Sequence, residues 1–154
     1  AVDNPLSNCA NTPTEALDQD FSFFRLLEYS LRPDSCGIGR HRGGVGFTRR
    51  YEILEDGVKL ALYSDRFTRP ADGLFGGHAA ATGYCEIIRG IEHVPVKSKF
   101  AGELCKGDIV AISLGGGGGY GDPASRPVEE IEEDVKDGII SRACADRWHA
   151  PVKE

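Results

Sequence analysis

The sequence predicts a mainly β chain with short helices at both ends, an α+β fold whose sheet is barrel-like or a sandwich. Three observations carry this. Two alternating apolar runs flank Asp56-Gly57. Helix-start signals stand near both ends of the chain. Between them, Gly115 to Gly119 run straight into Tyr120-Gly121-Asp122-Pro123, and five consecutive glycines are costly to order unless backbone passes close to something.

The elements follow in order. Thr12-Pro13-Thr14-Glu15 opens a first helix, expected over Pro13–Asp18. Thr12 caps it, Pro13 sits where its missing N–H costs nothing, and Glu15 reaches back. Phe21 to Leu31 reads as a strand, with Phe23, Leu27, Tyr29 and Leu31 on one parity and Arg25 interrupting it. Pro33 to Gly46 is turn-like and basic. Phe47, Arg49, Tyr51 and Ile53 then alternate, as do Val58, Leu60 and Leu62, and the intervening Asp56-Gly57 predicts a hairpin. A glycine-rich loop with Arg66, Arg69 and His78 extends to Ala81. Strands are expected at Gly83–Arg89, Ser98–Leu104 and Ile109–Leu114. Pro127 opens a helix with the apolar stripe Val128, Ile131, Val135 and Ile139, and its early glutamates suit the helix dipole. Gly138 ends it, and Ser141 caps a last helix over Arg142–His149.

Composition sets the class. A length of 154 residues suits a single domain, 1–154, and 40% hydrophobic residues suffice for a core. A net charge of −6 argues against nucleic acid as the main partner. No apolar run spans a bilayer and no signal-peptide pattern is visible. Cys9, Cys36, Cys85, Cys105 and Cys144 are scattered and odd in number, which fits a reducing cytoplasm better than a disulfide framework. Methionine is absent and Ala1 is small, as after removal of an initiator Met from a short gene product; a proteolytic fragment looks the same.

Candidate chemistry is sparse. Gly116-x-Gly118-x-x-Gly121 formally matches a dinucleotide fingerprint, yet Asp122-Pro123 follows where a helix must open, and no Lys-Ser/Thr pair marks a P-loop. Close backbone packing is the better reading of Gly115, Gly116, Gly117, Gly118, Gly119 and Gly121, so Gly117→Val is expected to cost folding or association before ligand binding. Arg40-His41-Arg42 is a candidate anion site, joined by Asp65, Arg66 and Arg69 if the loops converge; the alternative is pairing with local carboxylates. No cysteine pair has zinc-ligand spacing. Cys36 and His41 are the nearest pair, and buried inert thiols are the default. No nucleophile-elbow spacing occurs. No catalytic residue or metal ligand is assigned. A non-catalytic subunit is the first reading; an independent anion- or carbohydrate-binding β module and a zinc-stabilised interaction subunit are the others.

The order of segments resembles the C-terminal part of the hydantoinase B family, which includes 5-oxoprolinase B-type chains and the related subunits of ATP-dependent acetone and acetophenone carboxylases. The resemblance rests on Leu31-Arg32-Pro33-Asp34-Ser35, Gly39-Arg40-His41-Arg42-Gly43-Gly44, Ser64-Asp65-Arg66, Gly73-Leu74-Phe75-Gly76-Gly77, Gly116 to Pro123 and Glu133-Asp134-Val135-Lys136-Asp137-Gly138. Cys36 replaces a usual glycine and residues 83–96 diverge. The family's metal-binding residues lie in its N-terminal part, so none is carried over. The resemblance implies a small subunit that completes a larger B-type chain, beside an A-type chain that handles ATP. ATP and a divalent metal would belong to those partners, and this chain would need no cofactor of its own. The glycine run would pack in a bundle of extended, polyproline-like segments. Ketone carboxylation is favoured over hydantoin or lactam hydrolysis.

Overall fold

The computed structural model describes residues 14–148. Cys9, the Thr12-Pro13 cap and His149 lie outside them. The described residues form two compact units, one drawn from residues up to Ser30, Phe47–Asp65 and Tyr84–Ser113, the other from Leu31–Gly46, Arg66–Gly83 and the chain from Leu114 onward.

The first unit holds α1 (Thr14–Asp20) and seven antiparallel strands: β1 (Phe24–Leu31), β2 (Phe47–Ile53), β3 (Val58–Tyr63), β4 (Tyr84–Arg89), β5 (Glu92–Val96), β6 (Lys99–Leu104) and β7 (Ile109–Ser113). Five form a sheet in the order β1-β2-β7-β4-β5, and β3 pairs with β6. Among the described residues the sheet is open, with β1 and β5 as edges, so of the expected barrel-like or sandwich sheet no closed barrel is formed. β7 lies between β2 and β4, with Tyr51 opposite Val110 and Ile87 opposite Val110 on its other side. Its run Ile-Val-Ala-Ile suits a central strand.

The expected hairpin across Asp56-Gly57 does not form. Gly57 does turn, at φ +78, but the turn passes the chain from one sheet to the other. Each flanking strand finds a distant, more complementary partner: β2 takes β7, and β3 takes β6 with Leu62 opposite Phe100. β5 escaped the sequence reading. Arg89 and Glu92 face each other across Gly90-Ile91, a two-residue hairpin, and Pro95 is tolerated because β5 is an edge. β1 also differs. Leu27 and Leu31 are exposed, whereas Phe24, Leu26 and Tyr29 face an apolar cavity, so the alternation changes phase along the strand.

The second unit contains α2 (Val128–Lys136) and α3 (Arg142–Trp148), joined through Gly138 at φ +71. Ile131, Ile140, Cys144, Ala145 and Trp148 form its core with Cys36 and Ile38, and Val45, Val135 and Ile139 pack around them. Val128 stays half-exposed, so the α2 stripe is narrower than expected. Ser141 caps α3 by accepting from the Cys144 N–H at 3.2 Å. The Trp148 indole N–H donates to the Gly39 carbonyl at 3.0 Å, which ties α3 to the glycine-rich backbone.

A buried carboxylate organises the β6–β7 turn. Asp108 accepts from Arg89 Nε at 2.9 Å, Arg89 Nη2 at 3.0 Å and the Cys105 N–H at 3.0 Å. Burial opposes its ionisation, but these donors outweigh burial and hold its pKa below the usual 3.8. A depressed carboxylate stabilises the fold above its unfolded pKa and loses that contribution as pH falls through the folded value. Chemical denaturation from pH 7 down to pH 2 should therefore show an acid-dependent loss of stability below about pH 4 that is smaller in Asp108→Asn than in the native chain.

Candidate functional site

The glycine run lies in the second unit, and its surroundings explain it. Three stretches meet there: residues 35–46, 71–83 and 114–122. They are joined mainly by main-chain hydrogen bonds. The Gly37 N–H donates to Gly117 O, Gly117 to Gly44 O, Gly119 to His78 O, His78 to Ile38 O and Leu74 to Gly119 O, all at 2.8–2.9 Å. His41 and Tyr120 exchange both bonds at 2.9 Å. No helix or strand is assigned to Gly115–Gly119.

Side chains have no room in this junction. A Cβ on Gly118 would fall on the Asp72 carbonyl, one on Gly119 on the Ile38 carbonyl, one on Gly116 on the Ser35 carbonyl, and one on Gly43 on the Gly117 carbonyl. Gly117 differs: a Cβ there would meet nothing nearer than the Gly44 nitrogen at 3.3 Å. A single methyl at Gly117 is thus tight rather than overlapping, whereas Gly118 and Gly119 leave no room even for a methyl. The run leaves through a 3-10 turn, Pro123–Ser125, capped by Asp122 Oδ1 accepting from the Ala124 N–H at 2.9 Å.

The basic loop sits on this junction and faces α2. Arg42 Nε donates to Asp134 Oδ1 at 2.8 Å, and Arg126 Nη2 to Asp134 Oδ2 at 2.7 Å. Arg40 reaches Glu130 at 3.3 Å, and Arg126 reaches it at 3.4 Å. Asp134 and Arg126 are buried, and the Arg126 guanidinium lies 5.5 Å from the centre of the Trp148 ring. The contacts of Arg40 and Arg42 are thus those of the alternative reading, arginines paired with local carboxylates. Two acidic residues of α2, Glu130 and Asp134, belong to this network. Arg66 Nη1 donates to the Pro70 carbonyl at 2.8 Å. Asp65 falls in the first unit, and Arg40, His41, Arg42, Arg66 and Arg69 fall in the second.

His41 is exposed, and beside it lies a feature the sequence reading passed over. Leu74, Phe75 and Tyr120 form an apolar tip, with Phe75 at 79% exposure and its ring 5.1 Å from that of Tyr120. Phe75 has φ +51, a left-handed conformation that a bulky residue seldom adopts. Such strain persists only where the surroundings over-determine it. Here the Leu74 N–H donates to Gly119 O and the Gly121 and Gly77 N–H groups donate to Leu74 O. The signal was present in Gly73-Leu74-Phe75-Gly76-Gly77, where two apolar residues stand between glycines.

The cysteines do not gather around a metal: no group of three or more His, Cys, Asp or Glu with metal-binding geometry occurs among the described residues. Burial pushes the Cys36 and Cys85 thiols up to about 11, and burial also raises that of Cys144. Cys105 is exposed.

Fold and site define a class: an antiparallel β unit and, interleaved with it along the chain, a unit in which a glycine-spaced backbone junction is tied to two short helices. Residues 1–123 match the family described as hydantoinase B/oxoprolinase, and the chain belongs to that family. It is 41% identical over 137 residues to an uncharacterised protein of Methanocaldococcus jannaschii, covering 89% of this chain and 24% of that one. It is 29% identical over 148 residues to a protein of Pseudomonas sp. described as the B-type component of a D-/L-hydantoinase, covering 94% and 25%. It is 23% identical over 177 residues to the acetophenone carboxylase delta subunit of Aromatoleum aromaticum, covering 91% and 26%. Among solved structures it is similar to the ATP-dependent caprolactamase of Pseudomonas jessenii, with a TM-score of 0.72, 25% identity and coverage of 92% and 25%. The chain thus spans about a quarter of the length of each of these proteins. The resemblance read from the sequence is the family shown.

Two outcomes test the site. Gly118→Ala should abolish folding of the second unit, whereas Gly117→Ala should leave its melting temperature within a few degrees, as read by the Trp148 fluorescence transition. Alkylation at pH 8 should label Cys105 rapidly and Cys36, Cys85 and Cys144 only under denaturant, as read by peptide mass spectrometry.

Proposed function

We propose that this chain is a structural part of an ATP-dependent enzyme assembly, supplying one folded quarter of a hydantoinase B-type subunit and no catalytic centre of its own. The coverage carries the reading: about nine-tenths of this chain aligns with about a quarter of each of the compared proteins. A larger polypeptide equivalent to the remaining three quarters is its first partner, and an ATP-binding A-type chain its second. ATP and a divalent metal are held by those partners, in the cytoplasm. No helix among the described residues is long and apolar enough to cross a membrane. The three stretches of the junction are read as extended, polyproline-like segments. Their support is the ladder of cross-segment main-chain bonds and the glycines that permit it. The tip of Leu74, Phe75 and Tyr120 is a contact point for a partner, since exposed aromatics on a fixed backbone lose little entropy when covered.

For the reaction, hydrolysis of a cyclic amide is placed first. The hydantoinase component at 29% and the caprolactamase at 25% are more similar to this chain than the acetophenone carboxylase subunit at 23%. Ketone carboxylation, favoured by the sequence reading, is the second; the carboxylase subunit supports it by matching 91% of this chain. Co-expression with A-type and truncated B-type chains should yield a stable complex. Its ATP hydrolysis should rise with a hydantoin or lactam for the first reading, and with a ketone plus bicarbonate for the second. A chain that stays monomeric beside both partners would refute the assembly role.

A further inference from the structure

The first unit carries a cavity that its own residues leave open. It measures about 300 Å³ and is lined chiefly by apolar side chains from α1, β1, β2, β3, β6 and β7. Phe24, Leu26 and Tyr29 of β1 supply one wall; Tyr51, Leu60 and Ile112 stand among the others. Its charged lining residues, Arg49 and Lys59, are both cationic, and the Arg49 guanidinium lies 4.3 Å from the centre of the Tyr29 ring. Alongside, β1 has one strand neighbour, β2; no strand pairs with its other side among the described residues, and the Leu26 N–H donates to Asp18 Oδ1 at 3.4 Å. Leu27 of that strand and the adjoining Phe21 and Phe23 are also exposed.

An open strand edge is a template for another strand. We propose that β1 and this cavity together receive an extended segment of the family polypeptide that lies outside the part matched here. The segment pairs its backbone with the outer edge of β1. It seats a large apolar side chain among Phe24, Leu26 and Tyr29, and sets an acidic residue near Arg49 and Lys59.

The occupant follows from length. The compared proteins carry about three times as much further polypeptide as aligns here, within chains that hold the equivalent of this unit. A folded unit that packs against such polypeptide carries an apolar surface for it to cover. The sheet edge supplies direction and register, the cavity supplies the anchor, and the two cations favour a segment that carries an acidic residue. This surface deepens the assembly role proposed above and rests on it.

The test uses the Methanocaldococcus jannaschii relative with its region matching this chain deleted. That protein is titrated with the native chain, with Leu26→Glu, and with Leu60→Glu, each variant first shown to keep the native circular dichroism and melting behaviour. Native binding is expected, weakened at least tenfold by each substitution. Hydrogen exchange on the native pair should slow at amides of β1 and leave those of β5 unchanged. Absence of binding by the native chain would overturn the assembly role itself. Native binding that both variants retain, or that leaves β1 exchange unchanged, would overturn the assignment of this surface and leave the assembly role standing. Should a variant fail to fold, the exchange measurement decides alone. Slowing at β1 caused by dimerisation of the native chain, without the relative present, would also overturn it.

Discussion

The second unit depends on main chain meeting main chain where no Cβ intervenes. Gly116, Gly118 and Gly119 each approach the carbonyl of another segment so closely that a methyl group would occupy the same space. The approach lets amides such as those of Gly37, Gly119 and Leu74 find partners 2.9 Å away. A buried amide without a partner costs ~1–3 kcal/mol, so losing the approach at one glycine would strand several groups together. Glycine weakens ordinary helices and strands, but here it is the condition for any ordered backbone at all. The tip of Leu74, Phe75 and Tyr120 inherits its fixed position from this junction, including the positive φ of Phe75.

The arginines extend the same economy of contact. Arg42 and Arg126 converge on Asp134, and Arg40 and Arg126 on Glu130, so α2 is fastened to the glycine-rich loop from two sides. Removing one partner of a buried pair leaves an uncompensated charge, which makes such pairs strong constraints on geometry whatever their net contribution. Trp148 adds a third attachment through the Gly39 carbonyl. Arg40 and Arg42 of the basic loop thus tie α2, and Trp148 ties α3, to a backbone that offers few side chains.

Local patterns in the sequence carried much of the architecture. The Ser141 cap, the Gly138 stop and the strands around Ile87, Phe100 and Val110 were legible because each is a matter of neighbouring residues. Strand pairing was not. Asp56-Gly57 signals a turn whether its flanks pair with each other or with strands far along the chain, and only the sheet as a whole selects β7 for β2 and β6 for β3. β5 was hidden by Pro95, which is acceptable only on an edge that local sequence does not announce. Close packing at the glycine run could be argued from its composition. Which glycines are tight could not, because Gly117 and Gly118 differ only in the carbonyls opposite them. The pairing of Arg40 and Arg42 with residues some ninety positions away was equally out of reach, as was the cavity of the first unit.

Everything placed on the junction requires it to be a fixed, hydrogen-bonded body. Native-state hydrogen exchange resolved at single residues addresses it directly. The amides of Gly37, Leu74, His78, Gly117, Gly119 and Tyr120 should exchange slowly and lose protection together as denaturant rises, at the free energy that unfolds α2 and α3. Exchange of those six at the rates of an unstructured glycine-rich chain, while α2 and α3 remain protected, would contradict it.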